Sequence, residues 1–220
     1  MTLESYALEQ VRAGQVIGLG SGRAAQRFVR ALAGRVKQGL DVRGVPTSQE
    51  TEELARSLAI PLVSLEAAPR VDLAVDGADE VDPEGRLIKG YGGALLREKV
   101  VAAFAERLLI LVGPEKCVAR LGTRGRLPIE VLPFAVAPVL RRLEALGAPG
   151  TAREEHGRAV RSDNGNRLVD CAIGALSDPD ALDRALHAIP GVLETGLFLS
   201  FRATIAVEYP DRVEIRPPQR

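Results

Sequence analysis

Through Lys116 the chain alternates short apolar runs with stretches whose apolar positions recur every three or four residues. The runs at 15–19, 42–46, 61–65, 71–75 and 108–112 predict strands, and the recurring stretches at 3–12, 24–37, 52–58 and from Gly93 to about 109 predict helices. In the second helix Ala25, Phe28, Val29, Leu32 and Val36 form one stripe. Thr47 and Glu50 stand at capping-box spacing ahead of the third. Strands and helices in this order predict a mostly parallel sheet covered by helices on both faces.

The pattern then changes. A strand at 128–131 and a helix at 135–146 precede a weak strand at 158–161 and an Asn-Gly turn at 162–166. A strand at 167–173, a helix at 178–189 opened by Asp178-Pro179 and a strand at 192–198 complete a β-α-β-β-α-β plan. Late strands at 204–208 and 213–215 can return to the first sheet, and the end of the chain, 217–220, reads as frayed. The expected class is α/β: a Rossmann-like domain (1–126 and 199–220) plus a smaller ferredoxin-like α+β domain (127–198).

One stretch concentrates the chemistry. The run at 71–75 stops at DGADEVD, where Asp76, Asp79, Glu80 and Asp82 place four carboxylates within seven residues. Each such charge needs a partner or water, so the group is expected at the strand's carboxyl end. Glycines 90, 92 and 93 then line a tight loop. In the following helix Glu98 has Ala94, Leu95, Val101 and Ala102 at offsets of three and four, all apolar. It therefore faces inward, where lost hydration raises proton affinity and suits a general base. The alternative is a structural Glu paired with Arg97 or Lys89.

Gly20-Ser21-Gly22-Arg23 joins a strand to a helix, an arrangement that offers free backbone N–H groups to an anion. Neither nucleotide fingerprint is met: the third glycine of G-x-G-x-x-G would fall on Arg23, and no G-K-[ST] follows. A phosphate on a small molecule fits; a plain tight turn is the alternative. Ser21, Arg23, Thr47, Asp76, Asp79, Lys89 and Lys116 all fall at strand ends or on the loops leaving them, where open α/β sheets bind ligands.

Charge and composition narrow the classes. With 29 basic and 29 acidic side chains the net formal charge is zero, which argues against a nucleic-acid or membrane surface. No apolar run is long enough to span a bilayer, and MTLESYALEQ gives no expectation of a signal peptide. Cys117 and Cys171 lie far apart and fit small buried hydrophobes in a reducing cytoplasm. His156 and His187 stand alone, so no metal site is expected.

GLGSG at 18–22, VPTSQETEELA at 45–55, DGADEVDP at 76–83, LIKGYGGALLREK at 87–99, LPIEV at 127–131, SDNGN at 162–166 and IPGVLETGLF at 189–198 carry a resemblance over nearly the whole chain. It resembles ribose-5-phosphate isomerase of the A type. The resemblance implies interconversion of ribose 5-phosphate and ribulose 5-phosphate in the non-oxidative pentose phosphate pathway, with no cofactor or metal, in a cytoplasmic homodimer (tetramers also occur). It places the catalytic carboxylate on Glu98, its aspartates on Asp76 and Asp79, its lysine on Lys89 and a further lysine on Lys116. The phosphosugar contacts it implies are Ser21, Gly22, Arg23 and Ala24, then Asp76, Gly77, Ala78 and Asp79, with Gly90, Tyr91 and Gly92 behind Lys89. On physical grounds Glu98 shuttles the proton, Lys89 and the amides around Gly90 and Gly92 hold the oxyanion, and Asp76 or Asp79 handles sugar hydroxyls and ring opening.

Three departures stand out. The family turn usually reads GTGSTA, and here Gly20-Ser21-Gly22-Arg23-Ala24-Ala25 has lost two hydroxyls. Family lysines near the N-terminus are absent from 1–5. Arg23 is expected to replace both. Tyr91 stands where the family usually has glycine, with its ring either over the substrate or toward water. Two other classes remain open: a phosphosugar-sensing module, for which no spare DNA-binding segment or basic face is visible, and an acyl-CoA transferase, for which no larger carrier site is marked.

Overall fold

The computed structural model describes residues 1–218; Gln219 and Arg220, part of the expected frayed end, lie outside the described residues. The helices are α1 (Leu3–Glu9), α2 (Gly22–Lys37), α3 (Gln49–Ser57), α4 (Leu95–Ala103), α5 (Val136–Ala145) and α6 (Pro179–His187). The first six strands are β1 (Gln15–Leu19), β2 (Val42–Pro46), β3 (Leu73–Asp76), β4 (Glu80–Val81), β5 (Leu87–Ile88) and β6 (Leu108–Val112). After them come β7 (Arg126–Val131), β8 (Gly150–Ala152), β9 (Glu154–Glu155), β10 (Arg158–Ala159), β11 (Arg167–Ala172), β12 (Val192–Thr195), β13 (Leu197–Phe198), β14 (Ala203–Glu208) and β15 (Val213–Arg216).

The chain divides into two compact units. The larger holds Met1–Ala78, Arg97–Lys116 and the chain from Phe201 onward; the smaller holds Asp79–Leu96 and Cys117–Ser200. The smaller unit thus includes DEVDP and the glycine loop as well as 127–198, and α4 begins in one unit and ends in the other.

The larger unit is a six-stranded sheet in the order β15-β14-β6-β3-β1-β2. All neighbours are parallel except the edge strand β15, which pairs antiparallel with β14. The late strands therefore do extend the first sheet, with Ala203 to Val207 in register with Leu108 to Val112. Alternation along β1 puts helices on both faces. Ile17 and Leu19 pack with Phe28, Val29 and Leu32 of α2. Gly18 points the other way, where a Cβ would come within 2.7 Å of Val101 Cγ1 on α4. The expected strand at 61–65 is reduced to one bridge between Gly44 and Leu62. Gly44 N donates to the Pro61 carbonyl and Val63 N to the Gly44 carbonyl, the two bonds of that bridge, and Pro61, with no N–H, cannot extend the ladder backward.

The smaller unit contains an antiparallel sheet in the order β12-β7-β11-β8, the ferredoxin-like arrangement. Ile129, Val131 and Val169 pack with Val139 and Leu143 of α5 and Leu186 of α6. Two sequence expectations need correction. The second strand of this plan is β8, not 158–161, which forms a two-residue ribbon with β9. The run at 192–198 is two strands: a register shift between Val192 and Glu194 loosens β12, and after Gly196 the chain leaves to pair as β13 with β5. The three-stranded sheet β13-β5-β4 carries the start of the glycine loop. No helix of the described residues is long and apolar enough to cross a membrane.

Candidate active site

In the larger unit the strand order reverses between β1 and β3, the switch point at which doubly wound sheets open a crevice. Asp76 ends β3 there and is buried, 4% exposed. Its Oδ1 accepts from Ser21 N at 3.1 Å and from Gly77 N at 2.7 Å. Gly20 must be glycine, because a Cβ there would land on the Asp76 carboxyl carbon and sit 2.6 Å from its Cα.

Hydroxyls organise the neighbouring turn. Ser21 Oγ donates to Ser48 Oγ at 2.8 Å, Ser48 Oγ to Thr51 Oγ1 at 3.0 Å, and Thr51 Oγ1 to the Gly20 carbonyl at 2.9 Å. Ser48 also caps α3 by accepting from Thr51 N at 3.1 Å. The expected cap at Thr47 is thus displaced by one residue; Thr47 Oγ1 instead donates to the Leu19 carbonyl at 3.1 Å. The Ser21 hydroxyl lies against Ser48 and Thr47, each at 2.8 Å, and makes no side-chain cap hydrogen bond to α2. The first-turn amides of this 16-residue helix are therefore left for an anion. Arg23 is exposed in that first turn, next to Ala24.

β3 and β6 are parallel, so α4, which crosses between them, runs back against the strands and begins at their carboxyl ends. Glu98 lies in its first turn and is 6% exposed. Val101, three residues on and on the same helical face, packs over Gly18. Within the larger unit, then, Glu98, Asp76 and the start of α2 share one edge of the sheet. Lys116 follows β6 at the same edge, half-buried, its N donating to the Gly113 carbonyl at 3.0 Å.

The smaller unit holds Asp79, Lys89, Gly90, Tyr91 and Gly92. Lys89 is 4% exposed, and its Nζ lies 5.7 Å from the centre of the Phe198 ring. Lys89 N donates to the Gly196 carbonyl at 2.9 Å, while Gly196 N donates to the Pro128 carbonyl at 2.7 Å, so Gly196 ties the loop to β7. Gly90 takes φ +103, and a Cβ there would meet Leu95 Cβ at 2.7 Å and Pro128 Cβ at 3.3 Å. Tyr91 N donates to Asp79 Oδ2 at 2.9 Å.

The Tyr91 ring packs beneath the Arg126 guanidinium, 4.7 Å from its centre, and its hydroxyl donates to the Arg126 carbonyl at 3.2 Å. Burial first, then the charges of Glu80 and Asp79, pushes the phenol up to about 12. The two remaining carboxylates of the acidic run are structural. Glu80, fully buried, accepts from Gly122 N at 2.6 Å and Arg124 N at 2.8 Å. Asp82 accepts from Glu84 N, Arg86 N and Arg86 Nε. Sequence reasoning missed Ser48 and Thr51, whose hydroxyl-rich TSQET stretch was a visible signal, and Arg153, which no local pattern marks.

The fold and these edges are those of a sugar-phosphate isomerase scaffold. Its solved relatives include ribose 5-phosphate isomerase A from Methanocaldococcus jannaschii (TM-score 0.92, 36% identity, 97% of this chain and 96% of that one). The Plasmodium falciparum ribose 5-phosphate isomerase matches with TM-score 0.94 at 31% identity over 99% and 97% of the two chains. A third, solved in complex with phospho-erythronic acid, is 35% identical with TM-score 0.93 over 97% and 95%. The family model for ribose 5-phosphate isomerase A (phosphoriboisomerase A) matches residues 43–212. Ribose-5-phosphate isomerase A of Roseiflexus sp. strain RS-1 is 48% identical over 97% of this chain and 93% of its own. That of Gloeobacter violaceus is 46% identical over 99% and 95%. The chain belongs to the ribose 5-phosphate isomerase A family.

Proposed function

We propose that this chain interconverts D-ribose 5-phosphate and D-ribulose 5-phosphate, with Glu98 as the base that carries the proton. The observation that carries this reading is the buried Glu98 carboxylate in the first turn of α4, on the sheet edge that also holds Asp76 and the open start of α2. A proton leaves C2 of the open-chain aldose to Glu98, an enediolate forms across C1 and C2, and Glu98 returns the proton to C1. The O2 hydroxyl proton passes to O1, so the aldehyde becomes an alcohol and the alcohol a ketone.

Asp76 and Asp79 serve the sugar hydroxyls and ring opening. Lys89, with the amides of Gly90 and Gly92, meets the charge that develops on oxygen. Ser21, Gly22, Arg23 and Ala24 hold the phosphate, where helix amides and a guanidinium favour an anion, and Lys116 adds a further cation. Gly77 and Ala78, which join the two aspartates along the chain, belong to the same sugar contacts. No metal enters these steps. A cytoplasmic homodimer belongs to the same reading, in keeping with neutral charge and two free thiols.

Coupled assay of ribose 5-phosphate turnover, with and without a chelator, tests this. Turnover should persist with chelator. Glu98→Gln keeps the shape and removes the base, and should lower kcat about a thousandfold. Near-normal turnover by that variant would sink the assignment of Glu98, and loss of wild-type turnover on chelation would sink the metal-free chemistry.

A further inference from the structure

A guanidinium in the smaller unit grips the glycine loop from behind. Arg153 follows β8, and its side chain is only 12% exposed. Its Nε and Nη2 donate to the two carboxylate oxygens of Asp170, each at 2.8 Å. Nη2 also donates to the Gly90 carbonyl at 2.9 Å, and Nη1 to the Tyr91 carbonyl at 3.0 Å. The fork that anchors Arg153 to β11 therefore also fixes two consecutive peptide groups of the loop. Arg126 pairs with the same Asp170 at 2.8 Å and stacks on Tyr91, so the loop's one large side chain is held on the same support.

A trans peptide is planar, with its N–H pointing opposite to its C=O. The Gly90 carbonyl shares a peptide with the N–H of Tyr91, which donates to Asp79 Oδ2. The Tyr91 carbonyl shares a peptide with the N–H of Gly92. Once that carbonyl turns to Arg153, the Gly92 N–H must point away from it. Gly92 is exposed, and its N–H makes no hydrogen bond within the described residues. A cation on both carbonyls also polarises the two peptides and strengthens the donors on their far side.

We propose that Arg153 is a positioning residue for the isomerisation: it sets peptides 90–91 and 91–92 so that one N–H holds Asp79 and the next, from Gly92, is presented to the enediolate oxygen. The inference rests on the reading above, in which this loop serves the enediolate. Arg153 itself touches no substrate. Lysine cannot replace it, because a single ammonium lacks the planar fork that reaches Asp170 and two carbonyls at once.

Steady-state kinetics of the full chain with ribose 5-phosphate test the proposal in wild type, Arg153→Lys, Arg153→Ala and Lys89→Ala, each checked for folding by circular dichroism. Arg153→Lys and Arg153→Ala should lower kcat about 10- to 100-fold, the scale of a misplaced or lost oxyanion donor, with KM within about threefold. Guanidinium at about 20 mM, far below the molar range that unfolds domains, should restore Arg153→Ala at least about fivefold and leave wild type unchanged. A kcat within about twofold of wild type in a folded Arg153 variant, or a loss that guanidinium never restores, would overturn the clamp. If Lys89→Ala keeps full turnover, the reading of the loop fails and the clamp with it. If Lys89→Ala is inactive while Arg153→Lys is not slowed, the clamp alone fails. In wild-type protein the Gly92 amide resonance should shift on adding phospho-erythronic acid, and an unmoved resonance would also overturn the proposal.

Discussion

On the proposed reading, Arg23 is the side chain on which phosphate recognition turns. It stands exposed in the first turn of a helix whose N-cap residue, Ser21, makes no side-chain cap hydrogen bond, so on that reading the amides and the guanidinium serve the same anion. Arg23→Ala should raise KM for ribose 5-phosphate about tenfold or more, the worth of one charge-assisted pair, and leave kcat nearly unchanged. An unaltered KM would mean that the helix amides suffice. At this scale the sequence announced some residues and hid others. Glu98 was legible because a charge among apolar positions at helical spacing is a local signal. By local pattern Asp76 and Asp79 could not be told from Glu80 and Asp82; only the family resemblance set them apart, since the contacts that distinguish them are distant in sequence. Glu80 is claimed by amides 42 and 44 residues away, and no window of sequence contains both ends of such a bond. The placement of Tyr91 was equally hidden, because Arg126, which covers its ring, lies on another strand.

Among the elements, α4 owes its position to a missing side chain on β1. A Cβ on Gly18 would come within 2.7 Å of Val101 Cγ1 and 3.0 Å of Ala74 Cβ, so the helix rests almost on the strand backbone. Gly18→Ala should push α4 outward, cost about 1–3 kcal/mol of stability as overpacking does, and carry Glu98 off its line. Turnover should then fall well beyond the loss of folded protein, because misplacement by about 1 Å can cost a hundredfold. The double variant Gly18→Ala with Val101→Ala should recover most of it; failure to do so would show that Ala74, not the helix, bears the strain. Strands with strong apolar runs were readable at this scale, as were α2 from its stripe and α6 from the Asp178 cap, which accepts from Ala181 N at 2.8 Å. Short strands were not. β4, β5 and β8 are two or three residues long, too brief for a period; β4 pairs with β5, while β5 and β8 are held by strands further along the chain, β13 and β11.

At the scale of the molecule, the ion cluster around Asp170 joins three strands of the smaller unit to the glycine loop, and it makes that unit sensitive to acid. Burial pushes the Asp170 carboxyl up, but hydrogen bonds and charge from Arg153 and Arg126 outweigh burial and hold it below the ordinary value of 3.8. A carboxylate held down in the folded state adds stability that is fully present above the unfolded value and is lost as pH falls through the folded one. Between neutrality and about pH 5 the Asp170 contribution should therefore be constant, and below about pH 4 it should fade. Asp170→Asn should lower stability by about 2 kcal/mol at pH 7, the scale of a hydrogen bond to a charged group. Below pH 4 the gap between variant and wild type should close. Thermal unfolding of both proteins from pH 7 to pH 3 reads this directly: a gap in Tm that stays constant down to pH 3 would mean that Asp170 contributes through packing and shape, not through its charge. Because Asp170 anchors Arg153, the same variant should also lower kcat at pH 7 while the fold persists, tying the acid response of the smaller unit to the geometry of the loop it carries.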